Sequence, residues 1–326
     1  MTGFLIATAL IVSGQSGQDV GPFVHALQLV QRYGKPGVVK PENDQKLKGI
    51  LAKAVGKDGS LTASGAAPLF ATATFDRLAG PDGRLDPQEI RMALESDAPE
   101  SRKRLLPRVA AHADYLSTTF DMIDETHRAA GELLADWVVR NYEPGKPLHV
   151  TVICTGNSRR SILGATTGNI AAAYHGMPEV RFHSGGTAPT AFNPRTILAL
   201  KEIGVEIVPN GTEAPRGDSK TVNPVYQVRW GLPGDPTLEA TEFSKTYSDP
   251  SNPQSGFAAL MVCGEADAAC PLVKGASVRI SMPYLDPKIY DGSVYEAAKY
   301  AERRDDIGRL MLAVMMQARG RISAAK

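Results

Sequence analysis

The sequence predicts an α/β domain with a four-stranded parallel sheet flanked by helices, preceded by an all-α region. Two patterns and a break carry that prediction. After residue 148, short β-branched or apolar runs alternate with helical patterns, as in a parallel sheet covered on both faces. Before residue 140, apolar residues recur at helical spacing. Between them, Glu143-Pro-Gly-Lys-Pro147 ends any helix and marks a boundary.

In the first part, Phe23, Leu27 and Val30 fit one helical stripe, and Leu47, Ile50, Leu51 and Ala54 fit another. A third helix is predicted from about Ser117 to Arg140, with Leu133, Leu134, Trp137 and Val138 on its apolar side. In the second part the predicted strands are His149 to Ile153, Val180 to Ser184, Phe257 to Val262 and Val278 to Met282. Helices are predicted over Ser161 to Tyr174, Pro194 to Ile203 and Ser293 to Gln317, the last with Ile307, Leu310, Met311 and Val314 inward. Residues 209–255 are rich in Pro, Gly, Asn and Ser and show little periodicity, so they read as a long surface insertion. The domain plan is therefore an N-terminal segment 1–19, a helical region 20–98, a helical linker region 99–147, and an α/β domain 148–326 carrying the insertion.

The 326 residues suggest about two domains and carry a formal net charge of +1. That balance gives no basic field for nucleic acid and no acidic excess typical of disorder. Three cysteines, with no Cys-x-x-Cys pair, exclude a disulfide-stapled scaffold and a zinc knuckle. The apolar run Phe4 to Val12 is too short to span a bilayer, so no transmembrane helix is expected. Its exit into Ser13, Gly14 and Gln15 fits a signal peptide, but no Lys or Arg precedes it; a buried N-terminal element is the equal alternative. Localisation is thus open between the cytoplasm and export.

A weak repeat lies in the helical region. Gly56-Lys-Asp-Gly-Ser-Leu-Thr62 and Gly80-Pro-Asp-Gly-Arg-Leu-Asp86 share one pattern, which resembles a pair of EF-hand loops. In the second copy Asp82, Asp86 and Glu89 are the candidate calcium ligands. Leu78 and Gly80 stand where oxygen ligands are expected, and the first copy ends on Gly65 instead of Glu. The reading is a degenerate, structural pair, with weak calcium binding as the alternative.

The chemistry concentrates in Cys154-Thr-Gly-Asn-Ser-Arg-Arg-Ser161, which follows a predicted strand and opens a predicted helix. Small residues Gly156 and Ser158 let successive N–H groups turn inward as an anion nest, and the helix start adds partial positive charge. Arg160 can return a planar fork to two oxygens of a tetrahedral anion. The same field favours a thiolate at Cys154. Asn157 and Ser161 can hold the loop and the sulfur. Thr155, Gly156, Asn157, Ser158, Arg159, Arg160 and Ser161 form the candidate oxyanion-binding set.

This stretch resembles the loop of the low-molecular-weight protein tyrosine phosphatase and arsenate reductase superfamily, whose pattern is C-x-G-N-x-x-R-S. The resemblance covers roughly residues 148–318 and implies a P-loop after the first strand. It continues in Ser184-Gly-Gly-Thr187, in Asn193-Pro194, and in Asp286-Pro287, which implies Asp286 as general acid. Cys263-Gly-Glu-Ala-Asp-Ala-Ala-Cys270-Pro271 resembles the C-x6-C-P segment of thioredoxin-coupled arsenate reductases. That likeness implies a thiol relay from Cys154 to Cys263 to Cys270, with a thioredoxin-like reductant as partner. Two buried packing thiols are the alternative.

Departures bear on specificity. Arg159 stands where a second loop cysteine is frequent, and Asp286-Pro-Lys-Ile-Tyr290 weakens the aromatic rim that greets phosphotyrosine. His149 and His183 flank strand ends and read as structural. Trp230 and Tyr226 read as hydrophobic anchors, with a lid as the alternative. Three functions are therefore expected in order. The first is an arsenate reductase-like enzyme using Cys154, Cys263 and Cys270. The second is a phosphatase acting on phosphotyrosine proteins or small esters through Cys154, Arg160 and Asp286. The third is a non-catalytic calcium- or protein-binding module. None requires a cofactor, calcium aside.

Overall fold

The structure, a computed structural model, describes residues 44–69, 82–89, 99–117, 119–269 and 272–324, with single positions 23, 75, 76 and 79. The expectations for Phe4 to Val12, Leu27, Val30 and Cys270 lie outside the described residues. The chain forms two compact units, Met1–Arg91 and Met92–Lys326.

In the first unit, helix α1 (Asp44–Ala54) buries Leu47 and Leu51, four residues apart, and half-buries Ile50 and Ala54. Strand β1 (Leu61–Thr62), helix α2 (Ala63–Ala66) and strand β2 (Arg84–Leu85) follow. β1 and β2 pair antiparallel, with Leu61 opposite Leu85. The repeat's two leucines therefore meet across a short ladder and join a core with Phe23, Leu47, Leu51, Val55 and Phe75. Helices alone were expected here; the two loops add this ladder because each places its leucine in extended backbone.

The second unit opens with helix α3 (Pro107–Ser117) and helix α4 (Glu125–Asn141). One helix was expected from Ser117 to Arg140. It starts later, at Glu125, because Asp124 is an N-cap, its carboxylate accepting from the His127 N–H at 3.0 Å. Leu134, Trp137 and Val138 face inward as expected, whereas Leu133 is 57% exposed. It falls one position off the stripe that Ala130, Leu134 and Val138 set.

Strand β3 (Leu148–Cys154), helix α5 (Arg160–Tyr174), strand β4 (Val180–Gly186) and helix α6 (Pro194–Glu202) come next. Strand β5 (Glu206–Glu213) begins three residues before the expected insertion, which contributes the rest of it with β6 (Pro224–Arg229) and β7 (Glu239–Glu242). Strand β8 (Phe257–Met261), helix α7 (Gly264–Ala269), strand β9 (Ala276–Ser281) and helix α8 (Glu296–Ala324) complete the unit. The main sheet has the order β4-β3-β8-β9, and every pair in it is parallel. All of β8 and all but one residue of β3 are buried, which requires cover on both faces.

Helix α5 is buried along its whole length, so it carries small residues instead of a single apolar stripe. A Cβ on Gly168 would sit 2.4 Å from the Phe182 ring, so only glycine lets α5 approach β4 this closely. Helix α8 lies against α3, α4, α5 and α6, with Ile307, Leu310, Met311 and Val314 buried as expected.

The order β4-β3-β8 reverses the direction of winding at β3. The carboxyl ends of β3 and β8 therefore form a topological switch point, where open α/β sheets leave a crevice. The insertion is not irregular, as its composition suggested. β5, β6 and β7 form an antiparallel sheet burying Ile207, Val225, Val228 and Trp230. Its strands are short, and Val225 and Val228 are three apart, so no period-2 alternation shows in the sequence. Among the described residues, no helix is long and apolar enough to cross a membrane.

Candidate functional site

Cys154 closes β3 and α5 begins at Arg160, so the intervening loop sits at the switch point. Four loop carbonyls are turned away and docked. The Cys154 carbonyl accepts from Thr187 N–H at 3.1 Å and that of Thr155 from Ala188 N–H at 2.9 Å. The carbonyl of Gly156 accepts from Thr190 N–H at 3.0 Å and from the Ser244 hydroxyl at 3.0 Å, and that of Ser158 from Asn193 N–H at 3.1 Å. The backbone N–H groups of Thr155 to Arg159 meet no protein acceptor among the described residues. A peptide whose carbonyl is pinned outward presents its N–H inward, so the loop is a concave row of donors.

Two residues make that shape reachable. Asn157 has φ +40°, a left-handed conformation that asparagine tolerates better than most residues. Gly186 lies against the loop, where a Cβ would meet the Thr155 carbonyl oxygen at 2.6 Å. The Asn157 amide donates to Ser161 Oγ at 2.9 Å and to Ser184 Oγ at 2.8 Å. The Cys154 sulfur lies 3.1 Å from Ser161 Oγ and is buried.

Arg160 turns inward, 7% exposed at the side chain. Its Nη1 donates to the Tyr284 carbonyl at 2.8 Å and its Nη2 to Asp286 Oδ2 at 2.8 Å. Its Nε is buried with no partner. An orphaned buried donor costs about 1–3 kcal/mol, so this atom needs an acceptor that the chain does not supply. Asp286 also accepts from Lys288 N–H at 3.0 Å, which fixes the Asp-Pro turn. Glu265 lies 3.8 Å from Arg160. Its own backbone N–H, and then the Arg160 charge, hold its carboxyl below the usual range.

Cys263 is fully buried just beyond β8. Ile153 pairs with Met261 in parallel register, which sets residue 263 opposite Thr155, one position from the nucleophile candidate. The Thr155 hydroxyl lies 3.5 Å from the Cys263 sulfur, and Ala266 N–H donates to that sulfur at 3.4 Å.

Other candidates fall elsewhere. The Arg159 guanidinium is engaged by its own chain: its Nε donates to the Tyr300 hydroxyl at 2.7 Å, Asp291 lies 3.5 Å from its Nη2, and Asp286 lies 3.9 Å from its Nε. Burial pushes the Tyr300 hydroxyl up to about 12. Of Arg159, the backbone N–H is the group left without a protein acceptor among the described residues. His149 and His183 bond each other at 3.0 Å, and burial pushes His183 down to about 3. Trp230 is 1% exposed, with its backbone bonded to Leu106 and Leu238, so it is an anchor and not a lid.

The calcium candidates are engaged with their own chain. Asp82 accepts from Arg84 N–H at 3.1 Å. Asp86 and Glu89 exchange bonds as a capping box, Glu89 N–H to Asp86 at 2.7 Å and Asp86 N–H to Glu89 at 2.9 Å. Arg84 forms an ion pair with Asp58, so an arginine ties the two loops where an ion would add charge. Among the described residues, no three His, Cys, Asp or Glu side chains gather to hold a metal.

Three site residues had no sequence signal. Ser244, Glu242 and Lys245 come from the insertion, and Lys245 N–H donates to Asn157 Oδ1 at 2.8 Å. A buried i, i+3 ion pair in sequence looks like any exposed one. No family model matches the chain, and no curated protein matches it.

Proposed function

We propose that this chain is a cysteine-dependent oxyanion enzyme of the arsenate reductase and low-molecular-weight phosphatase kind, with the Cys154 loop as its P-loop. One observation carries the reading. The loop that follows the Cys154 sulfur at a sheet switch point carries backbone N–H groups without a protein acceptor and ends on an arginine whose buried Nε has no partner. A tetrahedral oxyanion supplies the acceptors that all of them lack.

In the first reading, arsenate reduction, the Cys154 sulfur attacks arsenic and displaces water. Cys263 then attacks the Cys154 sulfur. The sulfur–arsenic bond breaks, its electron pair stays with arsenic, and arsenite leaves as the Cys154–Cys263 disulfide forms. Cys270 takes over that disulfide, frees Cys154, and a thioredoxin-like dithiol reduces the Cys263–Cys270 pair. The strand register that brings residue 263 next to the loop supports this order. The second reading, phosphate ester hydrolysis, rests on Asp286. Its bond to Arg160 at 2.8 Å keeps Asp286 beside the loop's arginine, and this reading gives it the role of the acid that protonates the leaving oxygen.

A side-by-side turnover assay, arsenate with a thioredoxin system against an aryl phosphate, tests both. Cys263→Ser is expected to abolish multiple-turnover arsenate reduction and to leave aryl phosphate hydrolysis within a few-fold. Turnover of either substrate by Cys154→Ser would remove the proposal. Inactivity of the parent with both substrates, with tight calcium binding by calorimetry, would favour a non-catalytic module instead.

A further inference from the structure

We propose that Asp291 is a positioning residue for the acid: its grip on Arg159 and Tyr300 pins the far end of the turn that presents Asp286. The inference rests on the hydrolysis reading above, in which Asp286 protonates the leaving oxygen. It turns on Arg159, the position at which the loop departs from the pattern it resembles.

The turn Pro287–Tyr290 carries a carboxylate at each end, Asp286 as its N-cap and Asp291 as its C-cap. The loop carries two successive arginines, and each carboxylate meets one of them. Asp286 Oδ2 accepts from Arg160 Nη2 at 2.8 Å, and Asp291 Oδ2 accepts from Arg159 Nη2 at 3.5 Å. Tyr300, 1% exposed on α8, closes the second contact. It accepts from Arg159 Nε at 2.7 Å and donates to Asp291 Oδ1 at 2.8 Å. Arg159 Nε also lies 3.9 Å from Asp286 Oδ1, so one guanidinium reaches both ends of the turn. Arg195, from α6, adds its charge 3.7 Å from Asp291 Oδ1.

Packing holds the turn at one point. Within it only Pro287 is buried, while Ile289, and Leu285 just before it, are 69% and 71% exposed. The bond from Asp286 is a weak hold at the step that matters. Asp286 gives a proton only from its acid form, and in that form its bond to Arg160 loses the charge assistance that makes such bonds strong. Asp291 takes no part in that transfer, so its contacts with Arg159 and Tyr300 outlast it. The side chains of Arg159 and Asp291 are 17% and 24% exposed, so their pair adds only modest stability, and its effect is on geometry. A reacting group displaced by about 1 Å can lose about 10²-fold in rate.

The test reads proton donation to the leaving group. Acid help matters most for a poor leaving group, so kcat/KM is compared for phenyl phosphate and for dinitrophenyl phosphate. Asp286→Asn sets the scale, since it is expected to slow the phenyl ester far more than the dinitrophenyl ester. Asp291→Asn keeps the side-chain shape, and Arg159→Met removes the other partner. Each is expected to repeat that bias, with about a tenfold loss on phenyl phosphate and less than about twofold on the dinitrophenyl ester. The double variant Asp291→Asn/Arg159→Met is expected to lose no more than either alone. Hydrogen exchange at amides 287–292 is expected to quicken in all three. Equal losses on both esters in either single variant, loss on neither, or unchanged exchange would overturn the proposal. A bias in Asp286→Asn that the other variants do not share would remove this proposal alone. Absence of that bias in Asp286→Asn, or a parent that turns over neither ester, would remove the acid reading and leave the turn nothing to present.

Discussion

Arg160 and Asp286 are bonded at 2.8 Å, although one group is assigned to the oxyanion and the other to the leaving group. The bond sets their spacing before substrate arrives. It also predicts that the two can be separated by substitution. Asp286→Asn keeps an acceptor for Arg160 and removes the acid. Aryl phosphate turnover is expected to fall about 10²–10⁴-fold, with inhibition by arsenate unchanged within a few-fold. An unchanged turnover number would exclude Asp286 as the acid.

Arg160→Lys should behave in the opposite way. A lysine ammonium cannot span the Tyr284 carbonyl and Asp286 while also presenting a third donor, as the guanidinium does. The inhibition constant for arsenate is expected to rise at least about tenfold, and kcat/KM to drop about 10²–10³-fold. Equal affinity in the two proteins, by competition against an aryl phosphate, would show that the fork is not used.

Gly186→Ala tests the docking of the loop. Its Cβ would press on the Thr155 carbonyl at 2.6 Å and on the Asn157 nitrogen at 2.9 Å, both backbone atoms with little room to move. Overpacking of this kind costs about 1–3 kcal/mol. A lower urea midpoint is expected, together with weaker arsenate inhibition. A fully stable variant with intact inhibition would mean that the loop tolerates the displacement.

Acid stability gives a fourth prediction. Burial pushes both His175 and His183 down to about 3 from a usual value near 6.5. Between those limits the unfolded chain binds protons that the folded chain refuses. The stability they contribute is present above about pH 6.5 and is lost as pH falls towards 3. Each contributes at most about 1.4 kcal/mol per pH unit in that window. His183→Gln is expected to flatten the loss between pH 6.5 and 5, read from urea unfolding at several pH values. A slope equal to the parent's would show that His183 is not protonated on unfolding in that range.

Much of the sheet and one wall of the site were legible in the sequence. β3, β4, β8 and β9 each fall within two residues of their predicted starts: the central β3 and β8 are buried, largely apolar runs, while the edge strands β4 and β9 show apolar residues two apart, Val180 and Phe182, Val278 and Ile280. The β-branched run His149 to Ile153 and the helical pattern from Ser161 likewise gave the strand–loop–helix setting. What stayed hidden depends on distant partners. Asp124 reads as one more polar residue until it caps the start of a helix, and Arg159 reads as a free loop cation until Tyr300, Asp291 and Asp286 surround its guanidinium. The insertion concealed most. Glu242 and Lys245 acquire meaning only once their strand packs behind Asn157, which no local pattern announces.

The bond from Lys245 to Asn157 joins residues 88 apart in sequence, and that from Arg160 to Tyr284 joins residues 124 apart. Contacts of such sequence separation form late, since the ends of a long loop must first be brought together. During synthesis from the N-terminus, the ribosome would release Cys154 well before the loop's back wall and the anchor of Arg160 exist. Completion of the loop's surroundings is thus tied to completion of the chain: a product truncated before residue 245 would lack the Asn157 anchor, and any product truncated before residue 284 would lack the arginine's anchor.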